Sequence, residues 1–216
     1  MNTVLEGIKL SASDTTMIRQ YKNIKEKNLD KILFFRVGDF YEMFFDDAKI
    51  AARELEITLT SRETGTDNHV PLAGVPYHAA DNYIAKFIEK GYKVAICEQI
   101  EDPKTTKGLV KRDIVRVITP GTLVDQNLLK EKENNYLSSL VEIDNKWGLA
   151  TIDISTGEFY VTEFMGNKAK GQVLDEFCRL SPSECIVVDE MKYDKEFQSY
   201  TSNVLVNYRP KKIFSI

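Results

Sequence analysis

Residues Lys31–Phe45, KILFFRVGDFYEMFF, constrain the fold more than any other stretch of the chain. The short apolar and aromatic run Lys31–Val37 reads as a buried strand. Gly38-Asp39 then suits the tight turn of a hairpin, and Phe40–Phe45 returns as a second extended segment. Successive side chains of a strand point to opposite faces, so Phe40 and Glu42 share one face while Tyr41 and Met43 share the other. If Tyr41, Met43 and Phe45 pack inward, Phe40 and Glu42 project outward together. Taken alone, that pair is a surface aromatic beside a surface acid, since isolated exposed apolar residues are common.

Around this hairpin the sequence alternates helical and extended signals. Residues 14–28 predict a helix capped by Asp14, with Met17, Tyr21 and Ile24 forming an apolar stripe. Asp46–Leu55 predicts a second helix, its acids in the first turn where they suit the helix dipole. Ile57–Ser61 predicts a strand, Arg62–His69 a polar loop and Gly74–His78 a turn fixed by Pro76. Ala79–Lys90 predicts a third helix with Gly91 placed to end it. Lys93–Ile100 and Leu109–Ile118 predict two more strands. The result is a mixed α/β domain ending near Thr119-Pro120-Gly121.

A polar stretch, Thr122–Asn135, predicts a linker. Beyond it Tyr136–Ile143, Trp147–Ile154 and Glu158–Phe164 are separated by the turn signals Asp144-Asn145-Lys146 and Ser155-Thr156-Gly157, which predicts a three-stranded meander. A helix is expected over 168–180. A buried strand at Cys185–Val188 should lie parallel to the first strand of the meander, and Val204–Val206 a last short strand. Three antiparallel strands, a helix and a strand open an RNase H-like fold, and the chain is expected to stop before such a domain would be complete.

The chain has 216 residues, 43% hydrophobic and 29% charged, the balance of a folded protein rather than a disordered one. No apolar run approaches the ~18 residues of a membrane span. The opening MNTVLEGIKLSAS lacks the apolar stretch of a secretory signal. Cys97, Cys178 and Cys185 form no CxxC pair, which argues against a disulfide framework or a zinc ribbon. A reducing cytoplasm is the expected compartment. Basic and acidic residues balance over 1–122, and the whole acidic excess falls in 123–216. One window departs from that balance: Lys104, Lys107, Lys111, Arg112 and Arg116 meet a single acid, Asp113. Thr105 and Thr106 add hydroxyls. Such a window suits a phosphate backbone, and equally a solvated loop and strand edge.

Longer motifs decide between these readings. Phe34–Phe44 (FFRVGDFYEMF) is similar to the mismatch-recognition segment of the MutS family of DNA mismatch repair proteins. Leu72–Ala79 (LAGVPYHA), Val94–Ile100 (VAICEQI) with Asp102-Pro103, and Val115–Thr122 (VRVITPGT) resemble further parts of that family's N-terminal domain, in the family's order. Leu149–Glu158 (LATIDISTGE) resembles the start of its connector domain. The resemblance covers nearly the whole chain. It implies an α/β fold with a mixed-sheet mismatch-recognition domain over 1–121, a linker over 122–135 and a partial, truncated RNase H-like connector domain over 136–216.

In that family a Phe-x-Glu pair reads the mismatch from the minor groove, which implies that role for Phe40 and Glu42. An aromatic wedge kinks the duplex at a cost of a few kcal/mol in unstacking. The cost is lowest where a base is already mispaired, so discrimination rests on deformability more than on a base code. Glu42 would accept a hydrogen bond from a base N–H, or donate one if protonated, and the phosphates would push its pKa upward. The same resemblance makes Arg62, Lys107, Lys111, Arg112 and Arg116 candidates for backbone contact, and places Leu72, at a Pro71-Leu72 corner, along the minor groove. Strand alternation forbids all these bases from facing one way.

The full-length family protein is a dimeric ATPase clamp using ATP and Mg²⁺. No GxxxxGK[ST] phosphate loop occurs here, so this chain is expected to be non-enzymatic, without a cofactor or metal of its own, monomeric and a weak binder of DNA. The implied partners are double-stranded DNA with mismatches or small loops, a second copy in the full-length homodimer and the repair protein MutL through the connector domain. The expected location is the cytoplasm, on the nucleoid when DNA-bound. Two rivals are weighed. A metal-dependent RNase H-like nuclease would draw on Asp144 or Asp153, Glu176 and Asp189, but Asp144 falls in a hairpin turn, Asp153 on the second strand rather than the first, and the family's connector domain is not a nuclease. A pure protein-interaction module is the other. His69, His78 and Cys97 lack metal-ligand spacing; His78 is expected in a turn and Cys97 in a core strand.

Overall fold

The computed structural model describes residues 10–11, 14–63, 69–102, 105–106, 108–124, 129 and 133–214. The chain divides into two compact units, Met1–Ile118 and Thr119–Ile216, each built on a mixed sheet.

The first unit opens with α1 (Thr16–Glu26) and the hairpin β1 (Ile32–Val37) and β2 (Phe40–Phe44), followed by α2 (Phe45–Leu55). Next come β3 (Thr60–Glu63), β4 (His69–Pro76), α3 (Ala80–Glu89), β5 (Val94–Gln99) and β6 (Arg112–Ile118). The strands order as β3-β4-β2-β1-β5-β6. Only β1 and β5 run parallel; the other neighbours are antiparallel. The two-residue loop between Val37 and Phe40 closes through Gly38 at φ +57°, a left-handed conformation that glycine adopts without a Cβ clash.

Alternation along the strands builds two cores. Leu33, Phe35, Phe44, Ala95 and Cys97 meet Ile18 and Tyr21 of α1 on one face. On the other, Phe34, Met43, Val75 and Ile96 are buried, with Phe34 stacked edge-on against Phe87 of α3. Buried polar groups are tied in place: Asp47 accepts from Tyr21 Oη, the Leu33 amide and Lys25 Nζ at 2.9, 3.0 and 2.9 Å. A carboxylate can stay buried only with such partners.

Three sequence expectations change here. The cap of α1 is Thr15, whose hydroxyl accepts from the Ile18 amide; Asp14 instead accepts from the Ser11 amide and pairs with Lys22 at 2.9 Å, both side chains buried. Phe45 is not strand but the first residue of α2, entered at φ +56°. The segment expected as loop and turn holds the end of β3 and β4, which is inserted between β3 and β2; Tyr77–Ala79 forms one 3₁₀ turn, and residues 64–68 of the expected loop lie outside the described residues.

In the second unit β7 (Tyr136–Ile143), β8 (Lys146–Asp153) and β9 (Glu158–Met165) form the expected meander. After α4 (Ala169–Leu180), β10 (Glu184–Val188) pairs parallel to β7. Beyond α5 (Lys195–Tyr200), β11 (Leu205–Arg209) pairs parallel to β10. The order β11-β10-β7-β8-β9 is the one in which an RNase H-like fold begins. Val173, Leu174 and Phe177 of α4 close the core over Leu140, Leu149 and Val187.

The unit begins with a 3₁₀ turn, Pro120–Thr122, seated on the buried Glu184. That carboxylate accepts from the Thr119 hydroxyl, from the Gly121 amide at 3.0 Å and from Asn207 Nδ2 at 2.5 Å. A Cβ on Gly121 would lie 2.6 Å from Glu184 Cβ and 3.1 Å from Leu137 Cβ. Gly121→Ala should therefore lower the unit's stability by about 1–3 kcal/mol, the usual cost of overpacking. Chemical denaturation checks this, and an unchanged midpoint would mean that the turn is not seated there.

Candidate nucleic-acid interface

Phe40 opens β2 beside the hairpin loop, opposite Pro76 of β4, and is 47% exposed. Tyr41 and Met43 are buried at 7% and 0%, so strand alternation turns Phe40 and Glu42 together to the other face, as expected. This is also the face that α1 covers farther along the sheet. Phe40 and Glu42 lie where that cover thins, between core and solvent. Gly74 stands opposite Glu42: a Cβ on it would be in ordinary contact with the Tyr41 carbonyl oxygen at 3.6 Å, Glu42 Cγ at 3.7 Å and Phe40 Cδ1 at 4.0 Å.

Glu42 is not a free surface acid. Its side chain is 13% exposed, and Arg62 Nη1 donates to Oε2 at 2.5 Å. Arg62 is carried there by the β3–β4 pairing and also reaches Met17 Sδ at 3.7 Å. Burial pushes the Glu42 carboxyl above its ordinary range, while the Arg62 and Arg112 charges pull the other way.

Arg36 locks the loop that presents Phe40. Its Nε donates to the Gly38 carbonyl at 2.6 Å, and its guanidinium lies over the Tyr77 ring at 3.8 Å. The Tyr77 amide donates to the Asp39 carbonyl at 2.9 Å. Glu98 sits 3.8 Å from Arg36 Nη1 and accepts from the Tyr41 hydroxyl, whose pKa is raised to about 12 by burial and then by that carboxylate. Sequence reading did not single out this cluster, because its members are joined only by the fold.

The basic window divides. Arg112 was expected at the phosphate backbone, but its side chain lies inside the protein, 7% exposed. Nε donates to the Arg36 carbonyl at 2.6 Å, and Nη1 to the Val110 carbonyl and Gln20 Oε1 at 2.9 and 3.1 Å. The guanidinium stands 4.9 Å over the Phe35 ring. Arg116 is exposed, yet a bulge sets it opposite Ile96 while Arg112 opposes Gln99. The two arginines therefore point to opposite faces, Arg116 away from Glu42. Lys111 is exposed just ahead of β6, at the sheet end that carries Phe40, and its amide donates to Glu101 Oε2. Lys107 lies outside the described residues. Leu72 is not at a corner but in mid-strand, paired with Phe44 and Thr60, half-buried against the α1 core.

Among the described residues no group of three or more His, Cys, Asp or Glu side chains comes together to hold a metal ion. His69 begins β4, His78 lies in the 3₁₀ turn, and Cys97 is fully buried, its thiol pushed up to about 12 by burial. In the second unit Asp153 accepts from the amides of Asn135, Ser155 and Thr156. Asp144 occupies the β7–β8 turn at φ +51°, Glu176 pairs with Arg179, and Asp189 opens a 3₁₀ turn. These four carboxylates serve local turns and pairs rather than one centre. Among the described residues no helix is long and apolar enough to cross a membrane.

Two mixed α/β units in series, the first displaying an aromatic beside a half-buried ion pair, match two family models: MutS domain I over residues 15–127 and MutS domain II over 135–213. The DNA mismatch repair protein MutS of Ruminiclostridium cellulolyticum is 56% identical over 185 residues, covering 86% of this chain and 21% of the relative. Those of Desulforamulus reducens and Caldanaerobacter subterraneus subsp. tengcongensis are each 53% identical over 93% of this chain, and 23% and 24% of their own lengths. The chain belongs to the MutS family of DNA mismatch repair proteins. It spans less than a quarter of the length of these relatives.

Proposed function

We propose that the first unit recognises mismatched DNA from the minor groove, with Phe40 as the wedge and Glu42 as the group that meets a base edge. The observation that carries this reading is a large aromatic left 47% exposed beside a loop braced by Arg36 and Tyr77. Inserting a side chain between base steps costs a few kcal/mol of unstacking, and a rigid carrier keeps that cost from being spent on ordering the protein. A mispaired step yields first, so a wedge of fixed position discriminates by deformability. Lys111, at the same sheet end, supplies backbone contact. Arg112 supports the sheet instead, and Arg116 contributes less because it faces away.

The chain itself carries no chemistry in this reading: it binds, as a monomer, and weakly. The ATPase clamp with its ATP and Mg²⁺, the homodimer and a MutL contact through the second unit would belong to the longer protein. Titrating matched and singly mismatched duplexes against the full-length protein tests the reading, with 2-aminopurine beside the mismatch reporting unstacking. Tighter binding and brighter fluorescence on the mismatched duplex are expected; equal affinity for both would overturn it. Lys111→Ala should weaken both duplexes alike and reduce the slope of log K against log salt by about 1. A change of preference at constant slope would place Lys111 at a base.

A further inference from the structure

We infer that Arg62 is the counterion that sets the charge of Glu42, a specificity-determining residue rather than a phosphate contact. The inference rests on the reading of Glu42 as the base-contacting group. Arg62 Nη1 donates to Glu42 Oε2 at 2.5 Å, and the two side chains are 34% and 13% exposed. The Nη1 edge of this guanidinium is engaged by the carboxylate, and swinging it away toward a phosphate would strand a half-buried carboxylate.

The surroundings leave that role to few groups. Opposite Glu42 stand Phe35 on β1 and Gly74 on β4, neither titratable. On α1, Lys25 is held by Asp47 and Lys22 by Asp14, and Met17 touches Arg62. Arg112 on β6 also acts on Glu42, but its buried guanidinium is held in place through Nε and Nη1 by the Arg36 and Val110 carbonyls and Gln20. Arg62 is thus the adjustable partner. With it in place Glu42 meets a base as an acceptor; without it, burial favours the protonated carboxyl, which donates. Which base edges are accepted therefore depends on Arg62, although Arg62 need touch no base.

A carbon-13 carboxyl NMR titration of glutamate-labelled chain, wild type against Arg62→Gln, reads the coupling without DNA. The Glu42 midpoint should move to higher pH in Arg62→Gln, and an unmoved midpoint overturns the inference. In full-length protein a double-mutant cycle of Arg62→Gln and Glu42→Gln follows on matched and mismatched duplexes. Coupling of about three- to tenfold is expected, as for a close, partly shielded charge pair, with the salt slope unchanged by Arg62→Gln where Glu42 is present. The rise in affinity on acidification should shift to higher pH in Arg62→Gln and vanish in both Glu42→Gln backgrounds. Additive effects with a slope reduced by about 1 would make Arg62 a phosphate contact and refute the counterion role. If the midpoint moves but Glu42→Ala leaves mismatch preference intact, the ion pair stands and the base-contact reading is the one that fails.

Discussion

Replacing Phe40 by Ala in the full-length protein should abolish most of the preference for mismatched DNA while leaving matched binding nearly unchanged. A wedge at Phe40, as proposed, acts only where the duplex yields, so a matched duplex loses little when it is removed. Stacking of a base on an aromatic side chain is worth roughly 1–3 kcal/mol, which converts to a preference reduced by about five- to 150-fold. Folding should be little affected, because Phe40 is 47% exposed and sits at the first position of β2. Paired titrations and a melting curve check both halves. A collapsed melting temperature with preference retained would put Phe40 in the core.

Glu42 should behave differently. On the proposed function Glu42→Ala removes a negative charge from the surface that meets DNA, so non-specific affinity should rise as mismatch preference falls. Glu42→Gln should raise affinity too, but keep a hydrogen-bonding group and so retain more preference. Both changes also free Arg62 from its 2.5 Å ion pair. Part of any gain in matched affinity then comes from a released cation, and it should disappear when Arg62 is Gln as well.

The central hairpin was legible because its logic is local. A two-residue loop with glycine sets the register, and alternation then sends Phe40 and Glu42 one way and Tyr41 and Met43 the other. The meander and parallel return of the second unit were legible for the same reason. β4 was not: Pro71, Gly74 and Pro76 punctuate it like a loop, and only its place between β3 and β2 satisfies its backbone. Arg62 and Glu42 are twenty residues apart in sequence and become neighbours only through that missed strand. The burial of Arg112 was not legible because charge patterning carries no record of burial, and the facing of Arg116 was not, because the bulge at β6 reverses it.

Arg112→Ala should act as a stability mutation. Its guanidinium joins the start of β6 to the end of β1 through the Arg36 carbonyl, to Val110 and to Gln20 of α1. Truncation removes the charged donor from the Arg36 and Val110 carbonyls, leaving Val110 with the 3.4 Å contact from Gln20 Nε2, and removes the cation over Phe35. Hydrogen bonds from a charged donor contribute about 1.5–3 kcal/mol. For a unit near 100 residues, a loss of 2–3 kcal/mol lowers the melting temperature by about 10 °C. Arg112→Lys should recover little, since one ammonium cannot reproduce a planar fork with separate donors to separate acceptors. At temperatures where the variant stays folded, the salt slope of DNA binding should equal that of the wild type, because no phosphate contact has been lost. The same carbonyl of Arg36 that Arg112 holds begins the turn on which Phe40 is mounted. A residual loss of mismatch preference at full matched affinity is therefore expected even below the melting range. A slope reduced by 1 with an unchanged melting temperature would instead put Arg112 on the DNA.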